Sequence, residues 1–183
     1  MKRTILFLLI SLSVFAVYAQ TTEKTNADDR GYIVKVGDLA PDNFSLELTN
    51  GKKTTLKALR GKIVVLQFTA SWCSVCRKEM PYLERDVWLP NKDKDLVLIG
   101  VDRDEPLEIV KKFHQDMKIT YPLALDPGAD IFGQFADKKS GVTRNVVIDR
   151  NGRIAFLTRL YDPEEFATMK KVIGNLLTNT SAK

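Results

Sequence analysis

The sequence predicts an α/β fold: a mixed central β-sheet flanked by helices on both faces, with a small β-hairpin ahead of the main sheet. Residues 63–68 are a continuous run of β-branched and apolar side chains that ends in a small-residue turn, and residues 76–88 then carry apolar positions at helical spacing. That is the pattern of a buried strand feeding a helix. Further apolar runs at 95–101, 121–125 and 146–149 alternate with helix-like stretches, the order that a layered α/β sheet requires.

The chain begins with a short basic stretch, Met1-Lys2-Arg3, followed by an almost wholly apolar run at residues 5–17 and by Val17-Tyr18-Ala19, which sets small residues three before and one before Gln20. This reads as a secretory signal peptide, residues 1–19, cut after Ala19. The apolar run of about 13 residues falls short of the roughly 20 that a spanning helix needs, so an uncleaved anchor is the weaker rival and no stable membrane insertion is expected after cleavage. No cysteine lies near the cut, which excludes a lipobox. Removal of residues 1–19 lowers the formal charge from +5 to +3, with Lys and Arg interspersed among Asp and Glu, so nothing in the balance calls for a nucleic-acid partner. The remaining length suits one domain with a substantial core. Residues 20–34 are expected to be a flexible lead, residues 35–178 the domain, and residues 179–183 a tail.

From Phe44 the pattern Phe-Ser-Leu-Glu-Leu alternates, Asn50-Gly51 is a hairpin turn signal, and residues 53–56 return. Residues 56–59 suggest a single helical turn ended by Gly61. After the 95–101 strand, Pro106 opens a helix whose apolar face is Leu107, Val110, Phe113 and Met117. Residues 129–136 are helix-like. Residues 146–149, the turn Asn151-Gly152 and residues 153–158 form a second hairpin, and Pro163 opens the last helix on Phe166, Met169, Ile173, Leu176 and Leu177.

The only two cysteines, Cys73 and Cys76, stand at the strand–helix junction. Unpaired backbone N–H groups and the positive dipole end of a helix start favour a thiolate there, and two thiols at this spacing can close and reopen a disulfide. A purely structural bridge is a poor alternative, because so short a loop removes little chain entropy. A zinc site is poorer still, since it needs about four ligands and the lone His114 lies in a charged, helix-like stretch. The setting favours redox chemistry.

The segment Phe68-Thr69-Ala70-Ser71-Trp72-Cys73-Ser74-Val75-Cys76-Arg77-Lys78-Glu79-Met80-Pro81 resembles the active-site segment of thioredoxin-fold proteins of the TlpA/ResA type. Gly37-Asp38-Leu39-Ala40-Pro41, Phe44-Ser45-Leu46, Asn50-Gly51-Lys52 and Leu59-Arg60-Gly61-Lys62 resemble the AhpC/TSA-redoxin-like segment that precedes it, so the likeness covers roughly residues 35–178. It implies a thioredoxin-like fold with a central strand–helix insertion, and a thiol-disulfide oxidoreductase without cofactor or metal. It also implies work in the periplasm on protein thiols and disulfides of the cell envelope, with an upstream redox partner that is membrane-bound. Cys73 is then the attacking nucleophile and Cys76 the resolving thiol. Glu79, one helical turn beyond Cys76, takes the place of an acid that ResA-like reductases keep beside their cysteines; spacing alone would leave it a solvated surface acid. Pro81 matches the helix proline of thioredoxins; Trp72 reads as a packing residue that, directly before the nucleophile, can also shield the thiols and face a partner.

Two departures from that family stand out. Gln67 occupies the place of the buried acid of thioredoxin itself, six residues before Cys73. The position of the family's cis-proline falls on Thr143, with Arg144 beside it, and a cis bond before a non-proline residue costs roughly 2.5–4 kcal/mol, so a trans bond is expected. Thr143 and Arg144 are therefore candidate substrate-docking residues. A threonine and an arginine near Cys73 also suggest a peroxiredoxin-like thiol peroxidase, although the P-x-x-x-T-x-x-C frame is missing: Leu66 and Ala70 stand where its proline and threonine would be. A non-enzymatic Cu(I)-delivery protein using the two thiols is the other alternative.

Overall fold

The computed structural model describes residues 30–179. The expected signal peptide, most of the expected lead and residues 180–183 of the tail lie outside them. Seven strands form one sheet: β1 (Leu46–Leu48), β2 (Lys53–Thr54), β3 (Ile63–Thr69), β4 (Leu96–Arg103), β5 (Leu123–Asp126), β6 (Arg144–Ile148) and β7 (Ile154–Arg159). Their order is β2-β1-β5-β4-β3-β6-β7. The three inner strands β5, β4 and β3 run parallel to one another, and antiparallel pairs close both edges. Three α-helices follow: α1 (Ser74–Leu83), α2 (Leu107–Met117) and α3 (Pro163–Thr178). The insertion expected from the family is α2 with β5, which slots between β4 and β1.

β3 is buried along its whole length because it lies between β4 and β6 and both of its faces are covered. Its side chains alternate. Val64, Leu66 and Phe68 join one core, where Phe68 meets Phe132 and Phe135 with ring centroids 5.4 Å away in each case. Ile63 and Val65 join the other, with Met80 and Leu83 of α1, Val110 and Phe113 of α2, and Phe166, Met169 and Ile173 of α3. Burying each of these large side chains contributes roughly 1.5–3 kcal/mol.

All three helices thus line one face, which corrects the expectation of helices on both. The other face is covered by the irregular segment around Tyr32, Ala40 and Phe44, by Leu56, and by residues 129–136. Those last residues, expected to be a helix, are two short 3₁₀ turns, Pro127–Ala129 and Phe132–Gln134. Gly128 with φ +72° and Ala129 with φ +53°, both in the first of these turns, break the α-path. Residues 56–60 are likewise turns rather than a helical turn.

The helix expected at 76–88 is α up to Leu83 and π-helical over Glu84–Trp88. Pro81 brings no N–H to the carbonyl of Arg77, and the Glu84 N–H bonds the carbonyls of both Met80 and Pro81. Residues 30–34, expected within the flexible lead, are tied down. Arg30 pairs with Glu165, Tyr32 bridges Ala136, and the Tyr32 hydroxyl donates to the Thr158 carbonyl at 2.6 Å.

Candidate active site

β3 ends at Thr69, and four residues later Cys73 caps α1 in an extended conformation, its Sγ accepting the Cys76 N–H at 3.1 Å. The cap position places one sulfur over the unpaired N–H groups of the first turn. Cys73 and Cys76 are joined in a disulfide. Cys73 is 8 % exposed and Cys76 0 %, so only the first is within reach of a second protein. Trp72, at 64 % exposure, stands on the surface immediately before it.

Cys76, Glu79, Met80 and Leu83 are the buried residues of α1, at i, i+3, i+4 and i+7 of one helical face. Glu79 is therefore inside, at 1 % exposure, and not the solvated acid that its spacing alone suggested. Its Oε1 accepts from Asn145 Nδ2 at 2.7 Å and its Oε2 from Gln67 Nε2 at 3.3 Å. Burial outweighs those two donors and pushes its pKa up to about 7. The network continues on both sides: the Tyr121 hydroxyl donates to Gln67 Oε1 at 2.7 Å, and Asn145 Nδ2 also donates to Thr158 Oγ1 at 2.9 Å. A carboxyl that titrates near neutrality one turn from the inner sulfur is a group able to take or give a proton there.

Thr143 lies directly against the disulfide, its Oγ1 3.1 Å from Cys73 Sγ and 3.3 Å from Cys76 Sγ. No peptide bond among the described residues is cis. The Thr143 carbonyl accepts from the Leu160 N–H at 3.1 Å and from Arg159 Nη1 at 3.4 Å, so it is not open for pairing with an extended substrate strand.

Arg144 must be taken out of the docking set. It is 0 % exposed, and its guanidinium serves the carbonyls of Gly141 and Arg30 and the Ser140 hydroxyl, with the Tyr32 and Phe132 rings 4.9 and 5.3 Å away. Strand alternation is the reason: Asn145 and Val147 face α1 and α3, whereas Arg144 and Val146 face the aromatic layer beneath. The arginine of the peroxidase alternative is thus occupied elsewhere.

Sequence reasoning missed Tyr121, Asn145 and Thr158, which gather around Glu79, and Asp102 and Glu105, which stand behind the cysteine turn. Gln67 was noticed only as a departure. The available signal was a polar residue in the middle of an apolar strand, since such a side chain must find a partner inside.

A Redoxin family model matches residues 35–173. The chain belongs to the Redoxin family. It is similar to a thiol-disulfide oxidoreductase ResA of Bacillus cereus, 33 % identical over 156 residues that span 83 % of each chain. ResA of Bacillus anthracis is 35 % identical over 121 residues, 66 % of this chain and 68 % of that protein. Among solved structures it resembles a candidate protein disulfide isomerase from Bacteroides thetaiotaomicron, with TM-score 0.79 and 58 % identity over 81 % of this chain and 94 % of that one. It also resembles a candidate thiol:disulfide interchange protein DsbE from Chlorobium tepidum, with TM-score 0.67 and 27 % identity over 79 % and 99 %. The fold is thioredoxin-like, and this Redoxin-family chain is a ResA-like thiol-disulfide oxidoreductase.

Proposed function

We propose that this enzyme is exported, with cleavage after Ala19, and exchanges disulfides with cell-envelope proteins through Cys73 as nucleophile and Cys76 as resolving thiol, an upstream membrane-bound partner resetting its redox state. The observation that carries the residue roles is the unequal burial of the two sulfurs, with the outer one at the helix cap. The leader pattern of residues 1–19 supports the destination.

In the reducing direction the Cys73 thiolate attacks one sulfur of a partner disulfide, a mixed disulfide forms, and the partner's other sulfur leaves as a thiolate. Cys76 then loses its proton, attacks Cys73 Sγ and releases the second partner sulfur. The balance is one partner disulfide reduced to two thiols and one Cys73–Cys76 disulfide formed. The oxidising direction runs through the same steps in reverse. Glu79 accepts the Cys76 proton in the first direction and returns it in the second. Thr143 Oγ1, within reach of both sulfurs, donates to whichever carries negative charge.

The test is a Cys76→Ser variant expressed with its leader. The expected outcome is accumulation of mixed disulfides on Cys73 with envelope proteins, seen as reducible adducts and located by mass spectrometry. Cys73→Ser with Cys76 intact should trap none. Adducts located on Cys76 would overturn the assignment.

A further inference from the structure

Behind the cysteine turn lies a second buried acid that the exchange chemistry does not use. Asp102, at the C-terminal end of β4, pairs in register with Thr69 at the end of β3. It is 0 % exposed, and neither of its carboxylate oxygens finds a hydrogen-bond donor among the described residues. The charged groups that face it are Glu105, from the connection between β4 and α2, and Asp126, from β5. Asp126 is already satisfied by the N–H groups of Ile131 and Phe132, both at 2.8 Å. The neighbouring Arg103 turns away to the carbonyls of Lys138 and Ser140. A buried carboxyl that faces a second carboxyl and has no donor of its own requires a proton between the two.

Glu105 is tied to the redox turn. Its Oε2 accepts the Ser71 N–H and its Oε1 the Ser71 hydroxyl, both at 2.5 Å. Ser71 stands two residues before Cys73, and its carbonyl accepts from Arg77 of α1 at 3.4 Å. Arg77, Lys112 and Asp116 line the shallow groove beside Ser71, roughly 190 Å³ in volume. The two Glu105 bonds thus fix the start of the turn that presents the nucleophile.

We propose that Asp102 and Glu105 share one proton, and that this shared proton latches the turn from Ser71 to Cys73. With the proton on Asp102, its hydroxyl donates to the Glu105 carboxylate, which keeps its remaining lone pairs for Ser71. When the proton leaves to solvent, two carboxylates face each other with no donor between them. The half-exposed partner, Glu105, moves out, and Ser71 loses both bonds. Burial, with the Glu105 charge adding to it, pushes the Asp102 pKa up to about 8, so the latch is closed at neutral pH and opens above it. Asp102 and Glu105 are positioning residues, since neither is in contact with a sulfur.

The test uses the oxidised protein, in which no thiol titrates, and follows the Ser71 amide by NMR from pH 6 to pH 10. The Ser71 shift should move in one step centred near pH 8, and its exchange with solvent should rise about tenfold or more beyond the base-catalysed trend. Asp102→Asn, which keeps a donor but cannot ionise, should abolish the step with Ser71 still protected. Glu79→Gln should leave the step in place. A step that survives Asp102→Asn, or a flat profile in the wild type, overturns the proposal. Should Asp102→Asn fail to fold, the carboxyl-carbon signal of Asp102 in the wild type decides, because it must titrate at the same midpoint as the Ser71 amide. A different midpoint refutes the shared proton. The readout does not depend on turnover, so it stands or falls apart from the disulfide-exchange roles.

Discussion

At the scale of single residues, the chemistry depends on which groups can carry or stabilise negative charge beside Cys73 and Cys76. Thr143 offers a hydroxyl to both sulfurs and no other polar atom of its side chain. In the reduced protein that hydroxyl donates to the Cys73 thiolate, and a bond to a charged acceptor is worth about 1.5–3 kcal/mol. Thr143→Val keeps the shape and removes the donor, so the Cys73 pKa should rise by about one unit, read from the pH dependence of thiolate absorbance. Glu79 acts in the opposite sense. Ionised above about pH 7, it opposes a second negative charge nearby, so Glu79→Gln should shift thiolate formation to lower pH while slowing the resolution of mixed disulfides, for want of a proton acceptor. An unchanged titration together with an unchanged resolution rate would assign Glu79 to structure alone.

At the scale of elements, β6 shows how one short strand serves two layers. Asn145 reaches up to Glu79 and across to Thr158 on β7, and Arg144 reaches down into the aromatic layer. Asn145→Ala would leave the buried Glu79 Oε1 without its better donor. The expected cost is roughly 1–3 kcal/mol of stability, with the Glu79 pKa rising further because a bond that lowers it is lost. Chemical denaturation and a carboxyl-carbon NMR titration check the two effects separately. β3, α1 with its cysteines and the Pro163 helix were legible in the sequence, because long apolar periodicity and proline placement are local signals. Residues 129–136 were not, since three apolar side chains at helical spacing fit a pair of 3₁₀ turns equally well, and only the left-handed Gly128-Ala129 pair tells them apart. The fate of Arg144 was also beyond local reading. It depends on strand parity, and the apolar run from Val146 gave no hint that the strand begins at Arg144.

At the scale of the whole molecule, the thioredoxin-like core holds three buried carboxyls, Glu79, Asp102 and Asp126, whose protons bind more tightly in the folded state than in the unfolded one. The Glu79 pKa is raised from 4.5 to about 7 and that of Asp102 from 3.8 to about 8, each chiefly by burial. A raised acid binds more protons in the folded chain between its unfolded and folded pKa values. Stability must therefore fall as pH rises through that window, the reverse of the usual salt-bridged carboxylate. The oxidised protein should accordingly be most stable near pH 4 and lose stability steadily toward pH 8, the Glu79 share being on the order of 3 kcal/mol across its window. Below about pH 4 the trend turns, because Asp86, held low by its hydrogen bond to Arg85, takes up protons more readily once unfolded. Glu79→Gln should make the decline shallower between about pH 4.5 and pH 7, where Asp102 still contributes, and leave the decline between pH 7 and pH 8, which belongs to Asp102, unchanged. Urea midpoints measured at half-unit pH steps give the comparison, and a wild-type midpoint that climbs from pH 5 to pH 8 would show that neither Glu79 nor Asp102 carries a raised pKa in the folded chain.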